Sequence, residues 1–492
     1  MGNGPGDLKD YVDLIRSEPT FFGGCVWEFT DHSVEIDVPG KEGKRGFTYG
    51  GDFGDTPHDG NFCVDGLVYP DRKPHTGILE MKQAYRPYSV ELCDYEKGEI
   101  KLTNLRAFND FSDLDLLWNV ECDGREVLAG RETSLKIAAG KSKKYKLFDA
   151  FDLEDEGEYF LNIRLVTNKN NPWAKAGHEI GFDQMDIFEL AYEGEEERDE
   201  RFDDKLTVAE DEQFLEVYTN ETGYLFDKQI GKIVKIVHNG TDMLASPVDF
   251  AIWRAPTDND RYEKQHWLRE GFDRVMTTLY GFEVVEKSED LVQISADYAL
   301  GPKSKGPILK IKALYTFVSD GSCTVELGVN VRENVPYLPK FGLSFAMPEG
   351  FEKMSYFGYG PYESYMDKKL ASHIGLFETT VTDNFEPYVR PQENSSHYAC
   401  RRAKVTNLTG SGLAFEYAYD DEYFSFNAQH YTSKDLTDTA HNYELCARPE
   451  TYVAIDFAMS GIGSNSCGPA MKPELKFSLK EFSCAVKITP EN

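Results

Sequence analysis

Carboxylates are frequent agents of proton transfer and covalent catalysis, so acidic side chains beside aromatic or Gly-rich stretches are weighed first. Glu28 and Asp31 follow Trp27 in GGCVWEFTDHS (Gly23–Ser33). No second carboxylate stands obviously opposed to them, and the local sequence favours a structural role. Asp52, Asp55 and Asp59 fall in a Gly-rich stretch where Asp forms turns. Glu363 lies in GYGPYESYMD (Gly358–Asp367), whose GYG element is a poor dinucleotide fingerprint because no β-α-β unit follows. The nine cysteines stand singly, with no C-x-x-C pair. That pattern argues against a zinc site or a disulfide framework and fits a reduced cytoplasm.

Three stretches of different character must position these groups. Residues 1–88 read as α/β. Leu8, Tyr11, Val12 and Ile15 recur at i, i+3, i+4, i+7, one stripe of a short helix. GGCVWEF (Gly23–Phe29) is apolar without alternation, the pattern of a strand buried on both faces. A Gly- and Asp-rich loop runs from Asp31 to His75, and Ile78 to Gln83 reads as a closing helix. Residues 89–197 alternate in segments such as EIKLTNLRAF and EYFLNIRLV, separated by turn residues, as in a small antiparallel β-sandwich. The acidic stretch Gly194–Asp204 reads as a solvated linker. Residues 206–492 are again strand-rich and read as one large β-sandwich.

Asp and Glu number 85 against 53 Lys and Arg, a formal net charge of −32. Nucleic acid and anionic membranes are therefore unsuitable partners. No apolar run approaches the roughly 20 residues of a membrane span.

The loop YGGDFGDTPHDGNFCVDGLVYPDRKPHTGILEMK (Tyr49–Lys82) closely resembles the corresponding stretch of the family 2 glycoside hydrolases, specifically the β-galactosidases. GGCVWEFTDHS, RAPTDND (Arg254–Asp260), GYGPYESYMD, PYVRPQEN (Pro387–Asn394) and MSGIGSNSCGP (Met459–Pro469) match in the same order. The resemblance spans essentially the whole chain. It implies a mostly β protein: the C-terminal part of a (β/α)8 barrel, an immunoglobulin-like β-sandwich, and a large galactose-mutarotase-like β-sandwich.

The resemblance also implies residue roles. Trp27 matches a wall of the galactose pocket, with the Trp27–Glu28 peptide cis. Phe62, through its carbonyl, and Asp65 match part of a sodium site beside the sugar. Asp65 stands where many relatives carry Asn, and His58, near the pocket rim, where Asn is also frequent. Gly360 and Glu363 fall in a mobile loop. Cys467 occupies the place of an aglycone-stacking Trp in some relatives, and a Cys cannot stack. Retaining glycosidases use two carboxyls about 5–5.5 Å apart. By the resemblance both Glu residues, and the ligands of a magnesium ion, precede Met1.

The expectation is therefore a β-galactosidase present as a C-terminal fragment, inactive alone, whose intact form acts on β-galactosides such as lactose, and whose partner is its missing N-terminal half or a further copy in a homo-oligomer. Two alternatives stay open: the non-catalytic chain of a two-chain β-galactosidase, and a stand-alone carbohydrate-binding β-sandwich protein.

Overall fold

The computed structural model describes residues 4–149, 157–190, 204–418, 422–465 and 467–492. The acidic stretch read as a linker lies, through residue 203, outside them. The architecture is mostly β, with two separate large cores and a loop-rich first region laid against them.

The first region has little regular structure. Its stripe of apolar residues does form a helix, Leu8–Ser17, but of the stripe only Val12 is buried; Tyr11 is about half exposed, and Leu8 and Ile15 are partly exposed. The expected strand at Gly23–Phe29 is absent. That segment runs without a ladder, and Thr30 makes a lone parallel bridge to Val68. An apolar run becomes a strand only where neighbours take up its N–H and C=O groups. Here no flanking strand lies among the described residues, and Phe21, Phe22, Trp27 and Phe29 face outward. A small hairpin, Val34–Asp37 with Arg45–Thr48, and the helix Thr76–Ala84 complete the region. His75 caps that helix, its Nδ1 accepting from the Gly77 N–H at 3.1 Å.

The second region pairs a three-stranded and a four-stranded antiparallel sheet. Strand Leu114–Cys122 sits between Arg125–Glu132 and Gly157–Thr167. Alternate residues (Leu114, Leu116, Trp118, Val120) point into a core shared with Ile100, Leu102 and Phe111, as period 2 demands.

The large sandwich stacks a nine-stranded on a five-stranded antiparallel sheet. The five strands run in the order Asp249–Ala251, Lys340–Met347, Thr451–Met459, Phe424–Gln429, His397–Cys400. A further five-stranded antiparallel sheet, built between Thr207 and Asp242, contributes Leu215, Phe226 and Ile236 to the same core. No helix among the described residues is long and apolar enough to cross a membrane.

Candidate functional site

A cleft of about 350 Å³ opens where the first region meets the large sandwich. Trp27, Phe62, Asp65 and Cys467, four of the residues singled out in the sequence, all line it. They come from three distant stretches, and the loop hydrogen bonds explain why they meet.

The Asp65–Leu67 turn is clamped beneath Trp27. Glu28 N–H donates to the Asp65 carbonyl at 3.3 Å, and Leu67 N–H donates back to the Glu28 carbonyl at 3.1 Å. The Trp27–Glu28 peptide is cis. Asp31 folds under the turn, its Oδ1 accepting from the Gly66 N–H at 2.8 Å. Gly66 passes so close to this backbone that a Cβ there would lie 2.1 Å from the Asp31 nitrogen. Burial pushes the Asp31 carboxyl up to about 7 despite that hydrogen bond. His75 closes the turn from the other side. Its Nδ1 is an acceptor, so Nε2 carries the proton donated to the Gly66 carbonyl at 2.9 Å. Burial lowers its pKa to about 4, with the Lys368 cation adding to the effect, and the ring is neutral. Glu28 turns away to pair with His32 at 2.9 Å.

Phe62 is held by the sandwich. Asn61 Nδ2 donates to Asp258 Oδ1 at 2.7 Å, and Arg390 donates to Asn61 Oδ1 at 2.9 Å. The Arg261 guanidinium lies 5.3 Å from the Phe62 ring centroid. The motifs RAPTDND and PYVRPQEN thus position the loop from below.

The opposite wall is formed by Gly463, Ser464, Asn465, Cys467 and Gly468. Asp367 accepts from the Ile462 and Gly463 N–H groups at 2.9 and 2.8 Å. Ser464 Oγ donates to Asp7 at 3.0 Å, tying this loop to the start of the first helix. Asp7, Gly463, Ser464 and His75 belong to the lining but had not been singled out in the sequence. The signal for the two loop residues was MSGIGSNSCGP itself, read only for its Cys.

The other expected residues lie elsewhere. His58 stands on the exposed turn after Gly51, its Nδ1 accepting from the Gly60 N–H at 3.1 Å, outside the lining. Gly360 and Glu363 lie outside it too. Glu363 is buried, pairs with Lys368 at 2.5 Å, and accepts from Tyr388 Oη, Thr76 Oγ1 (3.2 Å) and the Ser395 N–H (2.8 Å). It therefore pins the second helix of the first region to the sandwich.

Chemically, the cleft offers a planar aromatic and an oxygen acceptor. Trp27 is 80% exposed, its ring available to an apolar ligand face. Asp65 Oδ1 is buried without a hydrogen-bond partner. Burial, with the Glu28 carboxylate adding, raises the Asp65 pKa. An orphaned carboxylate oxygen is the kind of donor a hard cation takes, and Phe62 lines the same cleft. Among the described residues no group of three or more His, Cys, Asp or Glu gathers as a metal set. This chain therefore fits part of an oxygen shell. Asp7 and Asp65 are the lining carboxylates, and Asp7 is already engaged by Ser464.

Known proteins match the chain along its length. The family model described as "Beta galactosidase small chain" matches residues 218–488, "Beta-galactosidase, domain 4" residues 100–188, and "Glycosyl hydrolases family 2, TIM barrel domain" residues 1–90. A β-galactosidase from Actinobacillus pleuropneumoniae is 36% identical over 98% of this chain and 46% of its own length. One from Staphylococcus xylosus is 33% identical over 99% of this chain and 48% of its own length. The chain thus spans about half the length of the curated relatives it matches. An aldose epimerase homologue from C. elegans aligns to 59% of this chain and 99% of its own, at 10% identity and a TM-score of 0.30.

Proposed function

The chain belongs to the β-galactosidases of glycoside hydrolase family 2, and from that membership we propose that it supplies one wall of a β-galactoside-binding cleft in a retaining glycosidase. The observation that carries this reading is the convergence of Trp27, Phe62, Asp65 and Cys467 on one cleft. Trp27 would stack against the apolar face of the sugar. Asp65 would accept from a sugar hydroxyl directly or through a sodium ion held with the Phe62 carbonyl. When bound, that ion supplies a fixed positive charge that orients the hydroxyl. Cys467, too small to stack, leaves the leaving-group side loosely built. The nucleophile and the acid/base, which must stand about 5–5.5 Å apart, would come from sequence outside this chain, as would the magnesium ligands.

In this reading residues 1–88 are the last part of a barrel, 89–197 an immunoglobulin-like sandwich and 206–492 a mutarotase-like sandwich. Completion by a separate polypeptide is favoured by one feature: Phe21, Phe22, Trp27 and Phe29 crowd nine residues of exposed, unladdered backbone.

The test is hydrolysis of a chromogenic β-galactoside. The purified chain alone gives no turnover above background, and adding a polypeptide that carries the barrel's N-terminal portion gives hydrolysis that sodium stimulates. Sodium-stimulated hydrolysis by the pure chain alone would overturn the reading.

A further inference from the structure

The large sandwich holds a second cavity, of about 490 Å³, on the outer face of its five-stranded sheet. That volume lies within the roughly 300–1,000 Å³ of small-molecule pockets. It shares no lining residue with the cleft at Trp27.

Strand alternation creates its floor. On Phe424–Gln429, Phe424, Phe426 and Ala428 point into the core, which leaves Asn427 and Gln429 on the opposite face. Register places Asn427 across from Ala454, and Ala454 across from Ser344. Small residues thus occupy the middle of the floor and amides one flank.

Both amides are more than nine-tenths buried, at 4% and 7% exposure. Asn427 Nδ2 donates to the Asn394 carbonyl at 2.8 Å, but its Oδ1 has no partner. Gln429 Oε1 has none either. Two orphaned buried acceptors on one cavity call for a donor from outside the chain, since a buried acceptor left unpaired is costly.

The rim is aromatic. Trp253 and Tyr431, both half-buried, line the cavity and are held there, Trp253 edge-on to Trp267 at 6.2 Å and Tyr431 against Phe385 at 4.7 Å.

Charge narrows the ligand further. The lining lysines are already paired: Lys340 with Asp456 at 3.0 Å, Lys232 with Asp249 at 2.5 Å, and Lys434 with Asp438. Among the described lining residues each lysine thus has a carboxylate partner, which disfavours a phosphate or carboxylate ligand. Burial pushes the Glu393 carboxyl, also in the lining, up to about 7, which weakens its pull for a cation.

We propose that this cavity is a second binding site, for a neutral polyhydroxylated ligand of monosaccharide size, whose hydroxyls donate to Asn427 Oδ1 and Gln429 Oε1 while its apolar face packs on Trp253 or Tyr431. The site stands apart from the cleft, so it does not depend on the galactosidase reading.

Calorimetric titration of D-galactose and D-glucose into the full chain carrying Trp27→Ala separates the two. That variant disables the cleft and leaves this cavity intact, so saturable binding of at least one sugar persists. Adding Gln429→Leu, or Ala454→Phe to fill the floor, weakens it at least about ten-fold. Tyr431→Ala, at the rim and least disturbing to the sheet, weakens it about three-fold or more. Should the floor variants not fold, hydrogen exchange on the Trp27→Ala protein decides the matter, with sugar-induced protection expected in Phe424–Gln429 and Thr451–Met459. The proposal is overturned if neither sugar binds the Trp27→Ala chain up to about 50 mM. It is equally overturned if binding survives Ala454→Phe and Tyr431→Ala unchanged in folded protein, or if the protection falls outside those strands.

Discussion

The first 88 residues and the large sandwich solve the problem of order in opposite ways. The sandwich buries one continuous apolar core, from Leu206 to Ile488, between sheets whose strands pair with neighbours. The first region buries few apolar side chains. Val64 and Tyr69 form a small cluster, and two of its four members, Tyr388 and Val389, are lent by the sandwich. It is held by polar anchors instead: Glu363 on Thr76, Glu80 on the Ala371 N–H, Asp258 on Asn61, and Asp52 on His441. Such anchors orient loops with precision but are few, at no more than about 1.5–3 kcal/mol each, whereas the sandwich core buries many apolar side chains worth about as much apiece. The cleft at Trp27 is therefore built on the weaker of the two regions and shaped by the stronger.

The sharpest break of this comparison is a matched pair of truncations. Phe341→Ala, in the centre of the sandwich core, costs about 3–5 kcal/mol in chemical denaturation. Phe22→Ser, at a fully exposed position of the first region, changes stability by no more than about 0.5 kcal/mol in the chain alone. A large loss at Phe22 would mean that the first region has a core of its own.

Lys368→Met probes the joint between the regions. It leaves the buried Glu363 carboxylate without its cation, at a cost of about 3–5 kcal/mol. Because Glu363 also holds Thr76, proteolysis should cut the first region of this variant sooner than either sandwich. Equal resistance across the chain would remove the polar-anchor account.

The pH dependence is smaller and has a defined sign. Asp31, Glu80, Glu386 and Glu393 are pushed up to about 7 by burial, and Asp183 to about 6. Their ordinary values are 3.8 and 4.5, so between about pH 4 and 7 the native state binds more protons, and they lower stability as pH rises. Buried His75, His373 and His397, lowered to about 4 from 6.5, act oppositely between pH 4 and 6.5. The two sets offset one another below about pH 6.5. Above it only the carboxyls act, so Tm should fall by a few degrees between pH 6.5 and 8. A rise over that interval in a thermal scan would contradict these environments.

Much of the sandwich was legible in the sequence, and the first region was not. LVQISADYAL and CTVELGVNV became the strands Leu291–Gly301 and Cys323–Val331, because alternation reports a half-buried sheet face directly. KFSLKEFSCAVKI is a single strand-like run in the sequence, yet Phe477 makes only an isolated bridge to Leu338 and the strand starts at Glu481. The run breaks where Leu479 turns outward. GGCVWEF shows the deeper limit, since whether an apolar run becomes a strand depends on partners that local sequence does not contain. For the cleft, motif resemblance gave Trp27, Phe62, Asp65 and Cys467, while His75 and Asp7 act through contacts made only after folding. Glu363 looked like a loop residue because nothing nearby in sequence announces Tyr388 and Ser395 as partners.

Hydrogen exchange on the chain, alone and with a polypeptide carrying the N-terminal part of a β-galactosidase barrel, tests the asymmetry most directly. In the chain alone, Gly23–Phe29 should exchange far faster than Lys340–Met347 and Thr451–Met459, and on the proposed reading adding that polypeptide should slow it by at least about ten-fold. Protection of Gly23–Phe29 in the isolated chain as strong as that of the sandwich strands would contradict the account.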